Sequence, residues 1–221
     1  MYQHLDSLGL PVDLPLGKVV CVGRNYLDHV QEMQSEVPAE PLLFMKPVNA
    51  LCHLSQPLSI PADKGECHNE LEIAVLLKQR LCHATHDDVE AAIWGVGLAL
   101  DLTLRDVQRT LKAQGHPWER AKAFDFSCPV SGFVPISQVP DLQNIEFTLT
   151  VNGEARQAGN SNMMLRGIVD LISHMSSVFT LDAGDIILTG TPKGVGPLTS
   201  EDSVSATLAD KITVDTSVQA L

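Results

Sequence analysis

The sequence predicts an α+β fold that is mainly β, on three observations. Residues 69–77 alternate with the period of a strand, and a second apolar run, 91–100, ends in Asp101 and reads as another strand. Residues 145–151 alternate in the same way and lead into Asn152-Gly153, a two-residue turn signal with a return strand from Glu154. Helical period is confined to a few segments, chiefly those after Asp101 and across 163–179.

Taken in order, residues 1–17 carry Gly9, Pro11, Pro15 and Gly17 and are expected to form an arm or loose hairpin ahead of a single domain, 18–221. Lys18 to Gly23 reads as a short buried strand closed by glycine. From Asn25, a candidate cap, a short helix puts His29 and Glu32 three residues apart on one face. That spacing suits a base with an orienting carboxylate, or else a plain surface pair. With Gly before it and Pro38 and Pro41 after it, the segment reads as a possible lid. Pro41 to Pro47 is an apolar run ending in Lys46, and residues 87–93 look helical. Beyond Asp101, Thr103 is the expected N-cap, Leu104, Val107 and Leu111 the apolar stripe, and Gly115 the stop. Arg105 and Gln108 then share the first turns, suited to a carboxylate or carbonyl ligand or to a solvent-exposed face. Lys122 sits among small and aromatic neighbours, where a lysine's pKa can fall towards that of a base. Met163 to Phe179 reads as an amphipathic core helix, and the tail from Asp202 as two closing edge strands.

The chemistry concentrates at His68-Asn69-Glu70-Leu71-Glu72 and Asp101. On a strand, Glu70, Glu72, Ala74 and Leu76 share one face, and Gly95, Gly97, Ala99 and Asp101 share one face of the next run. Three carboxylates with small neighbours describe a hard-cation site, Mg²⁺ or Mn²⁺ before Ca²⁺. The alternative is a solvated acidic edge. His68 is expected to support the carboxylates. The loop after Asp185, Leu-Thr-Gly-Thr-Pro-Lys-Gly-Val-Gly, lacks the order of a phosphate loop. Its amides, with the Thr191 hydroxyl, suit a small carboxylate, or form an ordinary Gly-Pro turn.

Bulk properties narrow the function classes. Apolar residues make up 44% of the chain and charged residues 19%, an ordinary globular balance. A formal charge of -12, with no run of Lys or Arg, argues against nucleic acid and anionic membranes as partners. An acidic substrate then needs a metal ion or a few placed cations. The first residues lack a signal peptide's basic start, and no apolar stretch nears the ~20 residues of a membrane span. Five cysteines without a Cys-x-x-Cys fit reduced thiols and a cytoplasmic location.

Six spaced motifs, in one order, resemble the fumarylacetoacetate hydrolase family from Lys18 to about Val204. They are Gly23-Arg24-Asn25-Tyr26 with His29 and Glu32, Leu43 to Pro47, His68 to Glu72, Asp101 to Gln108, Lys122 to Asp125, and Leu188 to Gly196. The resemblance implies a mixed β-roll, a homodimer and one Mg²⁺ or Mn²⁺ per subunit. It implies Glu70, Glu72 and Asp101 as metal ligands, with Arg105, Gln108, Lys122 and Thr191 holding or polarising the substrate. It makes His29 and Glu32 the lid dyad, and puts Arg24 and Lys46 near the site. Asn69 and Ala123 stand where relatives often carry His and Ser, which bears on specificity. The short chain resembles the acylpyruvase-like branch. The expected substrate is therefore a small enolisable 2-oxo acid, and the first expectation is oxaloacetate keto-enol tautomerisation with Lys122 as proton carrier. The alternatives are acylpyruvate or fumarylpyruvate C–C hydrolysis, with oxaloacetate decarboxylation possible, and a non-catalytic cation-binding module.

Overall fold

The computed structural model describes residues 2–221. The first half of the chain holds strands β1 (Val19–Gly23), β2 (Leu42–Lys46), β3 (Leu51–His53), β4 (Leu58–Ile60), β5 (Cys67–Asn69), β6 (Leu71–Leu77), β7 (Ile93–Leu100) and β8 (Thr103–Leu104). Helix α1 (Leu27–Glu32) lies between β1 and β2, and α2 (His86–Ala92) between β6 and β7. Helices α3 (Arg105–Gln114) and α4 (Glu119–Lys122) follow. The second half adds β9 (Cys128–Val130), β10 (Val134–Pro135), β11 (Glu146–Val151) and β12 (Glu154–Asn160), then α5 (Ile168–Val178). It closes with β13 (Ile186–Leu188), β14 (Gly196–Leu198), β15 (Ser203–Leu208) and β16 (Ile212–Ala220).

The main mixed sheet runs β2-β1-β13-β6-β7-β9-β3, with β10 also paired to β7. A second sheet runs β12-β11-β15-β16-β4, and a small third one β14-β5-β8. Strand β6 explains how they stack. Leu71, Ile73, Val75 and Leu77 face a core shared with α5 (Ile168, Leu171, Ile172, Met175) and the second sheet (Phe147, Leu149, Leu208). Ala74 and Leu76 face a second core with Val19, Ile186 and Phe133. Every residue of β6 is buried, as a strand covered on both faces must be.

The amino-terminal residues cover the second core rather than hanging loose. Leu5 bridges Pro11, and Tyr2, His4 and Val12 are buried. His4 Nε2 lies 3.1 Å from the carbonyls of both Pro15 and Gly184, which ties the segment to the turn before β13.

Several expectations need correction. The acidic stretch is not one strand: the chain leaves the main sheet at Glu70, so 67–69 belong to the small sheet. Thr103 lies in β8 and its hydroxyl donates to the Asp101 carbonyl at 3.0 Å, so Leu104 occupies the N-cap without a side-chain bond. Asn25 does not cap α1 either, because its amide bonds Arg166 and Thr189. The late helix starts at Ile168, since 161–163 form a separate 3₁₀ turn. The tail strands β15 and β16 are interior to their sheet, whose edges are β12 and β4. Gly115 does end α3, with φ 67° in the left-handed region. Among the described residues no helix is long and apolar enough to cross a membrane.

Truncation in the twice-covered strand should be costly and loss of a surface cap mild. Ile73→Ala is expected to lower unfolding free energy by about 2–5 kcal/mol. Thr85→Ala, which breaks the Thr85/Asp88 capping box of α2, should cost about 1 kcal/mol. Urea titrations read both, and equal losses would contradict the burial pattern.

Candidate active site

Where β6 enters the main sheet and β7 leaves it, the backbone fixes two of the acidic residues side by side. Asp101 N–H donates to the Glu70 carbonyl at 2.8 Å, and Glu72 sits opposite Ala99 in the ladder. Glu70, Glu72 and Asp101 are all buried, and one oxygen from each lies within 4.8 Å of the others. The solvated-edge alternative is thereby excluded.

Buried carboxylates need counter-charge. Lys122 Nζ lies 2.7 Å from Glu70 Oε2 and 2.5 Å from Asp101 Oδ2. Arg105 Nη2 lies 2.6 Å from Glu70 Oε1, and its Nη1 donates to Gln108 Oε1 at 2.7 Å. Lys46, completely buried, stands 2.8 Å from Asp101 Oδ1. Its protons point instead at the Lys122 and Ser127 carbonyls, so Asp101 Oδ1 has a charge beside it but no aligned donor among the described residues.

Glu72 is different. Its only hydrogen bond among the described residues comes from Gly190 N–H, at 2.6 Å, and no cationic side chain pairs with it. Gly190 is left-handed at φ 94°, and a Cβ there would sit 2.7 Å from the Asn25 Cβ. Only glycine brings that amide to the carboxylate without strain.

These environments set the protonation states. Burial, then the charges of Asp101 and Glu70, push the Glu72 carboxyl well above its ordinary value. Burial opposes Glu70 ionisation too, but Lys122, Arg105 and His29 outweigh it and hold this carboxyl below the usual range. Lys122 corrects the expectation of a depressed lysine. Burial lowers its pKa, but Asp101 and Glu70 reverse the sign and the ammonium is held above its ordinary value.

The donor set fits a hard divalent cation. It is all oxygen, it includes a carboxylate without a cationic partner, and it includes an oxygen without an aligned donor.

The remaining expected residues line the same cleft: Arg24, His29, Arg105, Gln108 and Thr191, with Phe44 and Trp118 as apolar wall. His29 Nδ1 lies 3.2 Å from Glu32 Oε2, so the dyad is formed. The glycine-rich loop was expected to hold a ligand carboxylate, yet its amides hold the protein's own. Gly190 serves Glu72, and Gly194 N–H donates to Glu32 Oε1 at 2.9 Å. The Thr191 hydroxyl donates to the Leu71 carbonyl at 2.8 Å. His68 bonds Glu66 at 2.9 Å and lies 3.5 Å from Arg105 Nε, so it supports Arg105 rather than the carboxylates.

One central residue lay outside the sequence reading. Gln157, buried in β12 of the second sheet, accepts from Asn69 Nδ2 (2.8 Å) and Leu71 N–H (2.9 Å). It donates to Thr191 Oγ1 (2.8 Å) and the Pro192 carbonyl (3.0 Å). Its only sequence signal was a polar residue in a strand, shared with many surface positions.

Curled sheets with a buried tri-carboxylate corner, an overlying helix and a glycine-rich loop define this class of protein. The chain belongs to the fumarylacetoacetate hydrolase family: residues 18–220 match the model described as fumarylacetoacetate (FAA) hydrolase C-terminal. It is 56% identical over 208 residues to the oxaloacetate tautomerase YcgM of Escherichia coli K12, covering 94% of this chain and 95% of that one. A putative fumarylacetoacetate hydrolase family protein from Yersinia pestis superposes with a TM-score of 0.96 at 52% identity, over 98% of this chain and 100% of that one. Fumarylpyruvate hydrolase from Pseudomonas aeruginosa, solved with Mn²⁺ and pyruvate, superposes with a TM-score of 0.89 at 31% identity, over 94% and 91% of the two chains.

The two glutamates should respond in opposite ways in chelator-treated protein. The raised Glu72 pKa means the folded state keeps a proton that the unfolded state releases above the ordinary value of 4.5. Stability from this group is therefore lost as pH rises above that value, and Glu72→Gln should flatten the loss. The lowered Glu70 pKa means its stabilisation is present at neutral pH and lost on acidification. Glu70→Gln should cost about 3–5 kcal/mol at neutral pH, because it removes the carboxylate paired with Arg105 and one of the two paired with Lys122. Denaturant melts across the pH range measure both, and a Glu72→Gln variant less stable than wild type at pH ~8 would contradict the assignment.

Proposed function

We propose that the protein is a divalent-metal-dependent keto-enol tautomerase acting on oxaloacetate, with Glu70, Glu72 and Asp101 holding Mg²⁺ or Mn²⁺. The observation that carries the reading is the placement of Lys122, whose Nζ lines the cleft 2.7 Å from Glu70 Oε2 and 2.5 Å from Asp101 Oδ2. The similarity over nearly the full chain to an oxaloacetate tautomerase supports the substrate. When bound, the cation supplies Lewis acidity that stabilises the enolate of a 2-oxo acid.

The chain's own side chains do the rest. The Arg105 guanidinium, oriented by Glu70 and Gln108, offers its remaining N–H groups to the substrate carboxylate. Thr191, fixed by Gln157 and Leu71, sets the opposite wall. Phe44 and Trp118 limit water. Lys122 delivers a proton to the substrate carbon beside the keto group while the enol hydroxyl releases its proton to water, from which Lys122 is recharged; the reverse direction runs the same transfers backwards. The same reading takes the protein as a cytoplasmic homodimer whose catalytic unit is residues 18–221.

C–C hydrolysis of acylpyruvates or fumarylpyruvate is the second reading, favoured by one observation. The His29–Glu32 dyad is formed and faces the cleft, and cleavage needs a water activated by such a base. The similarity to a fumarylpyruvate hydrolase is in keeping with it.

Parallel assays separate the readings. On enol-oxaloacetate, Lys122→Met should lose about 10²–10⁴-fold in kcat while His29→Ala stays near wild type. On acetylpyruvate, a comparable dependence of cleavage on His29 would instead support the hydrolase. Chelation should abolish turnover and Mg²⁺ should restore it. Indifference to both substitutions under full Mg²⁺ loading points to a non-catalytic cation-binding module, and failure of the Mg²⁺ form on both substrates sinks both enzymatic assignments.

A further inference from the structure

At the floor of the cleft every cation has a carboxylate beside it, but at the mouth two do not. Lys46, Lys122 and Arg105 each face Glu70 or Asp101. Two further cations line the same cleft, Arg24 and Lys112. Among the described residues neither has a carboxylate within ion-pair distance, and Arg24 donates only to the Glu36 carbonyl, at 3.3 Å. In a protein of net charge -12, two cations left open in one cleft call for an explanation.

Their placement supplies one. Arg105, Gln108 and Lys112 fall at i, i+3 and i+7 of α3, so one helix face carries all three. At 1.5 Å per residue, Lys112 lies about 10 Å along the axis from Arg105, towards the solvent end of the cleft. Arg24 reaches the same cleft from a different element, the turn between β1 and α1. Partial burial, then Arg24 and Arg105, pull the Lys112 ammonium below its ordinary pKa, so the three cations share one field.

We propose that Lys112 and Arg24 form a second anion subsite at the mouth, which selects 2-oxo acids carrying another carboxylate distal to the keto-acid end. The orientation of the ligand rests on the tautomerase reading, with the keto-acid end on the floor by Arg105 and Lys122. A dicarboxylate then spans floor to mouth, whereas a ligand ending in a methyl group leaves the two outer cations without an anion. Lysine suits this place: it is a flexible point charge able to follow ligands of slightly different length.

A matched pair of unreactive ligands tests it. Malate and 2-hydroxybutyrate share the 2-hydroxy acid end and differ in a terminal carboxylate against a methyl group. Titration calorimetry on the Mg²⁺-loaded protein should show tighter binding of malate to wild type. Lys112→Met should weaken malate by about five- to tenfold and leave 2-hydroxybutyrate within about twofold, with Lys112→Arg retaining the preference. Equal affinity of wild type for the two ligands overturns the subsite, as does malate affinity unchanged in Lys112→Met. If malate selectivity depends on Lys112 but wild type does not turn over enol-oxaloacetate, the subsite stands and the tautomerase reading falls.

Discussion

Everything at the site depends on keeping three carboxylates together in the protein interior. Glu70, Glu72 and Asp101 would repel one another and lose their hydration, a cost that no packing alone offsets. The chain answers with Lys46, Lys122 and Arg105, brought from β2, α4 and α3. The compensation is uneven. Glu70 contacts two cations and Asp101 two lysines, while Glu72 receives one backbone N–H. This unevenness lets neighbouring carboxyls differ in protonation and leaves Glu72 as the charge best answered by a bound cation.

The sheets make the arrangement possible by changing partners. β6 and β7 are neighbours in the main sheet, yet the chain on the Glu70 side of β6 and the Asp101 side of β7 passes into the small sheet as β5 and β8, which pair again. Glu70 and Asp101 lie at that corner, where the ladder is interrupted and side chains converge. Gly190 and Thr191 close the corner from the β13–β14 loop, and Gln157 ties the loop and Asn69 to the second sheet. The functional groups are thus held by three sheets at their junction, a more rigid support than any single loop.

The sequence made the strands, the apolar faces of β6 and the acidic trio legible, because periodicity of two and carboxylates at i and i+2 are local properties. It also placed Arg105 and Gln108 on one helix face beyond Asp101. Non-local facts were hidden. Nothing in the spacing of Lys122 revealed that it would touch two carboxylates, so its expected pKa direction was reversed. Thr103 and Asn25 looked like caps because capping is judged locally, but Asp101, Arg166 and Thr189 claimed their side chains instead. Gln157 was invisible for the same reason: its four partners lie in other elements, 34 to 88 residues away in sequence.

Glu32 joins two parts of the molecule that look separate. One carboxylate oxygen orients the His29 imidazole and the other accepts from Gly194 N–H, while Asp28 on the same helix lies 3.0 Å from Lys193. The position of α1 and the shape of the glycine-rich loop are therefore a single variable. If α1 swings away, the imidazole loses its orienting bond at the same moment as the loop loses its tether. The loop that supplies the Gly190 N–H to Glu72 and the imidazole that only the hydrolase reading calls on as a base are thus positioned together.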